Sequence, residues 1–98
     1  MTDEQIIHEI LEARQKELDK GVTDGAATDL AISGVVYFIH HRAFFQEKCE
    51  LEDTEPGTKE EDLIVQVLRN RHQEVNNYVH NVWDNYQRVQ YLNKCLVA

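Results

Sequence analysis

Five histidines and several spaced carboxylates are the residues of this chain with the types to do chemistry. His80 and Asp84 stand four apart, hence on one face of a helix, and folding the chain back would bring them toward Asp29. Those three would offer a divalent ion an imidazole and two carboxylates. Zinc and di-iron bundles space their ligands more densely, and no Glu-x-x-His pair occurs anywhere in the chain. Polar residues on solvated helix faces are therefore expected here, and no metal. The same fold-back should set His40 and His41 near the stretch from Leu68 to His72. His72 falls within an apolar seam. A histidine satisfied by a neighbour such as Tyr37, or a polar residue that sets register, is expected there ahead of a pH switch.

The Glu-x-x-Glu pairs Glu9/Glu12 and Glu47/Glu50 form a pattern similar to that of all-α nucleotide pyrophosphohydrolases. In that family carboxylates on neighbouring helices hold Mg²⁺ over a phosphate. Antiparallel pairing through a turn near Thr23 would set Glu9 beside Tyr37 and leave Glu47 and Glu50 beyond the start of the first helix. The two pairs then share no ion within one chain, so solvated helix faces are again the expectation. There is no Gly-x-Ser-x-Gly, no glycine-rich phosphate loop and no cysteine with an evident histidine base.

The elements that must position these groups read as helices throughout. Thr2 caps the first, with Asp3 and Glu4 in its opening turn and Gln5 completing a capping box. Gly21 closes it near Lys20. A second helix begins between Thr23 and Thr28 and is apolar nearly all round: Ala27, Ala31 and Gly34 on one face, Leu30, Val35, Tyr37, Ile39 and Phe44 on the others. Such a helix is expected at the centre. Pro56-Gly57 turns the chain, and Thr58 with Glu61 caps a third helix that runs without Gly or Pro to about Leu96.

Leu68, Val75, Val82, Val89 and Leu96 recur every seventh residue along that third helix, a coiled-coil spacing. At 1.5 Å per residue it spans roughly 57 Å, against about 27 Å and 37 Å for the first two. The excess predicts either a break near Asn76-Asn77 or a second chain on the C-terminal half. The expected architecture is all-α: one domain over 1–98, an antiparallel bundle of a short helix, a buried helix and a long helix, completed by dimerisation.

A formal charge of −8, from 18 acidic and 10 basic side chains, argues against direct binding of nucleic acid and favours a basic or mixed protein surface as partner. The apolar stretch from Leu30 to Ile39 is too short to cross a bilayer, and the acidic start lacks the features of a signal peptide. Cys49 and Cys95 belong at opposite ends of the bundle, which excludes an intrachain disulfide. A cytoplasmic chain with free thiols is expected.

As function these features point to a small acidic non-enzymatic interaction protein, a regulator, inhibitor or adaptor acting by protein–protein binding. A phage or mobile-element inhibitor of a nucleic-acid-handling enzyme has this build. Val82, Trp83, Tyr86 and Val89 are the expected apolar contacts, and Glu47, Glu50, Glu52, Asp53 and Glu55 the expected acidic ones. No cofactor is implied. The alternative is a helical metal-dependent enzyme or metal-binding protein using His80, Asp84 and Asp29 or the paired glutamates.

Overall fold

Local capping chemistry sets most of the helix ends. The computed structural model describes residues 1–97 and, among them, four α-helices and no strand. Helix α1 (Asp3–Asp19) opens on a complete capping box. Thr2 Oγ1 accepts the Gln5 backbone N–H at 3.2 Å, and the Gln5 side-chain oxygen accepts the Thr2 N–H at 2.9 Å. It closes through Gly21 at φ +90°, where the Val22 and Gly21 N–H groups reach back to the carbonyls of Glu17 and Leu18. That left-handed closure is what the glycine supplies.

Helix α2 (Asp24–Ala43) stops at Phe44, whose φ of −121° and ψ of 29° leave the helical region, and α3 (Phe45–Asp53) sets off in a new direction. The expected second helix is thus two, and the architecture has four helices rather than three. No Gly or Pro lies near this break. Tertiary packing accounts for it: the Phe44 ring tilts against His40 at 4.9 Å and lies under the Arg71 guanidinium at 4.8 Å, which turns α3 onto the following helix. After the Pro56-Gly57 turn, with Gly57 at φ +81°, Thr58 Oγ1 accepts the Glu61 N–H at 3.3 Å and starts α4 (Lys59–Val97). At 39 residues, α4 is about 58 Å long and accounts for the longest dimension of the molecule, 60 Å. It passes through Asn76-Asn77 unbroken.

The chain folds back on itself twice. The core joins Ile6 and Ile10 of α1, Ala31, Ile32, Val35 and Val36 of α2, and Val79, Val82 and Trp83 of α4. Each large aliphatic side chain buried there contributes roughly 1.5–3 kcal/mol relative to exposure. The Tyr78 hydroxyl donates to Asp3 and ties the start of α1 to the middle of α4. Arg14 secures the other end of the α1–α2 pair, donating to Thr28 Oγ1 at 3.1 Å and pairing with Asp24 at 3.5 Å.

Two expectations change with this packing. Helix α2 is not central: one side faces α1 and α4, and Leu30, Gly34, Tyr37, Phe38 and His41 on the other remain exposed. The seam of α4 is internal through Val82 and Trp83, because α1 and α2 already cover that stretch.

Candidate partner-binding surface

The histidines lie where the fold-back places them, but the buried one is His40, not His72. His40 Nε2 lies 3.2 Å from the Leu68 carbonyl oxygen, which can only accept, so the proton resides on Nε2. Its ring meets the exposed His72 edge-on at 5.0 Å. Burial holds the His40 pKa below the usual value of 6.5; the bond to Leu68 opposes that shift, and the nearby Lys48, His72 and His41 reinforce it. Tyr37, the neighbour expected for His72, instead stacks on His41 at 5.8 Å.

Asp29, His80 and Asp84 do line one groove, as the fold-back implies, together with Arg14, Trp83 and Gln87. Among the described residues no three His, Cys, Asp or Glu side chains are grouped to hold an ion. The paired glutamates are apart as well. Glu9 and Glu12 are on α1, Glu47 and Glu50 on α3, and those helices do not touch. Glu12 engages His8 and Lys16 on its own helix.

Of the apolar contacts expected for a partner, Val82 and Trp83 are only 8 % and 6 % exposed and belong to the chain's own core, whereas Val89 is 53 % and Leu96 84 % exposed. Tyr86 is half-buried between the two sets, its ring 5.4 Å from that of Trp83. From Gln87 to Leu96 every residue of α4 is exposed. Val89, Leu92 and Leu96 keep the helical spacing of an apolar stripe there. An open groove between α1 and α4, lined by Asp3, Glu4, Ile7, Val82, Tyr86 and Val89, leads onto this stripe. Its mouth is acidic on the α1 side.

The acidic residues divide similarly. Glu47 is held by Arg71 Nη1 at 2.7 Å and is half-buried, so it fastens α3 to α4. Glu50, Glu52, Asp53 and Glu55 are exposed, as are Glu60 and Asp62 at the start of α4. This acidic tip and the apolar stripe occupy opposite ends of α4. Cys49 and Cys95 are both free, on α3 and near the end of α4 respectively. No helix among the described residues is long and apolar enough to cross a membrane.

One surface escaped the sequence reading. Tyr37, His41 and Phe45 form a continuous exposed aromatic row, with Lys48 Nζ 5.3 Å from the Tyr37 ring centre and Arg42 5.9 Å from that of Phe38. The signal was present in the all-round apolarity of α2, which reads equally as a central helix or as one with an uncovered side. No protein-family model, no curated protein and no solved structure matches this chain.

Proposed function

We propose that this chain is a small acidic, non-enzymatic interaction protein that docks a partner protein along the free end of α4. The observation that carries the reading is the stripe of Val89, Leu92 and Leu96 on a helix that continues after its covering helices have ended. Soluble proteins seldom leave such a contiguous apolar surface without an occupant. The acidic tip at Glu50–Glu55 supplies long-range attraction to a basic or mixed surface, with more effect on the rate of encounter than on final affinity. Through that complementarity the protein acts as a regulator, inhibitor or adaptor, and competition with nucleic acid for a basic groove is one form this takes.

The test compares partners captured from the native host by the wild type and by Leu92→Glu and Leu96→Glu. Both substitutions lie on exposed helix surface and leave the fold intact, as circular dichroism would verify. A partner held by the wild type and lost by both variants supports the reading. Equal capture by all three refutes it.

A further inference from the structure

We propose that the outer face of α2 is a self-association surface that closes an antiparallel, two-fold symmetric dimer centred on Gly34. That face is separate from the free end of α4, and its pairing does not depend on what α4 binds. The face is apolar at its middle, where Leu30 and Phe38 stand four residues either side of Gly34, and Tyr37 and His41 extend it toward α3. A Cβ added at Gly34 would meet nothing within 4 Å, so the chain itself makes no use of the close approach this glycine permits. At the crossing point of two helices a residue without a side chain lets the backbones come together and the flanking side chains interlock.

The charges commit the occupant to a second copy. Asp24 and Arg42 are eighteen residues apart, about five turns, and so share one flank of α2, the side facing α1. Asp24 pairs there with Arg14 of α1, and Arg42 shares a groove with Met1 and with Gln5 and Glu9 of α1. On the opposite flank, toward α4, Asp29 lies near the beginning of the face, and Lys48 of α3 extends over Tyr37 farther along it. A two-fold axis through Gly34 reverses the helix but keeps each flank against its own copy. It therefore brings Asp24 toward the partner copy's arginine on one flank and Asp29 toward its lysine on the other. One axis satisfies the apolar centre and both charged flanks. The same arrangement sends the two acidic tips to opposite ends of the dimer, where their repulsion is least.

Tyr37, Phe38 and Phe45, each about half exposed, and Leu30 offer on the order of 400 Å² of apolar surface per copy. That is about half of what each partner gives to a standard protein interface, so a weak, reversible dimer is expected. Sedimentation velocity of the full chain across the micromolar range reads the equilibrium, with circular dichroism confirming the fold of each variant. The wild type is expected to shift from monomer to dimer with concentration. Gly34→Leu should weaken the dimer at least tenfold while melting no lower than the wild-type monomer, because leucine is the better helix former and a Cβ at this position meets nothing within 4 Å. Asp29→Lys should weaken it roughly fivefold, and Asp29→Lys with Lys48→Glu should restore it. A wild type that stays monomeric throughout, including one whose α2 face serves some other acidic protein, overturns the proposal. So does a dimer indifferent to both Gly34→Leu and the charge exchange, which would be held through another face.

Discussion

The same substitution placed seven residues apart on α4 should have opposite consequences. Val82→Glu puts a carboxyl into a core position that is 8 % exposed, beside the acidic Asp3 and Glu4 that line the adjoining groove, whereas Val89→Glu falls on a half-exposed surface. Losing the burial of Val82 removes roughly 1.5–3 kcal/mol. An unpartnered buried carboxyl adds about 1–3 kcal/mol, and the neighbouring carboxylates prevent relief by ionisation. The sum, about 2.5–6 kcal/mol, is a large share of the ~5–15 kcal/mol that holds a typical domain together. At about 4–8 °C per kcal/mol the melting temperature should fall by at least ~10 °C. Val89→Glu should change stability by no more than ~0.5 kcal/mol. Thermal melts by far-UV circular dichroism, with the emission of Trp83, the sole tryptophan and a core residue, as a second probe, read both variants directly. If Val82→Glu melts within a few degrees of the wild type, the seam is not internal at that position and the assignment of Val82 to the core is wrong.

Three further outcomes follow from the packing around α2 and α3. Burial lowers the pKa of His40 in the folded chain below its usual 6.5, so on acidification the unfolded chain takes up this proton first. Stability should be flat in this group above 6.5 and fall as the pH drops through and below it, and His40→Gln, which keeps a donor for Leu68, should reduce that slope in urea melts at about pH 5 and 7.5. Arg71→Ala should cost more than Glu47→Ala, since the arginine both pairs with Glu47 and covers the Phe44 ring. A loss of about 1–2 kcal/mol against about 0.5–1 kcal/mol is expected, and a double-mutant cycle isolates the partly exposed pair. Gly34→Ala and Gly21→Ala should move in opposite directions in the same melts. The first gains up to ~1 kcal/mol of helix propensity, and the second loses ~1–2 kcal/mol at its φ of +90°.

What was legible in the residues is what short-range chemistry decides. The Thr2–Gln5 box, the Gly21 closure and the Thr58–Glu61 cap each depend on groups within five residues of one another, and each is present in the structure. The break at Phe44 was not legible, because its cause is a ring wedged between His40 and Arg71, residues that the chain brings together only after α4 has folded back. The seven-residue repeat on α4 has the same limitation. Val82 and Val89 are equivalent in period, and only the position of α1 and α2 against the helix makes one internal and the other exposed. For the histidines the topology was right and the burial was exchanged. His72 holds the seam position, but α3 leaves that side of α4 open, while His40 points inward from α2.

The distance between the two ends of α4 constrains how a partner could use them. The helix is about 58 Å long, the acidic tip lies at its start and the apolar stripe at its finish. Surface charges are screened beyond about 8–10 Å at ordinary ionic strength, so the tip cannot strengthen contacts made at the stripe. A partner engaging both must extend along nearly the whole molecule. Its binding should then weaken with salt, and replacing Glu52, Asp53 and Glu55 together by the neutral Gln, Asn and Gln should remove most of that salt dependence. A partner engaging the stripe alone should bind with little response to salt or to those replacements. Association rates measured for the captured partner at low and high salt, with the wild type and the neutralised tip, separate the two modes. If that partner's binding is strongly salt-dependent and the neutralised tip leaves the dependence unchanged, the role assigned to Glu50–Glu55 fails while the docking stripe of α4 stands.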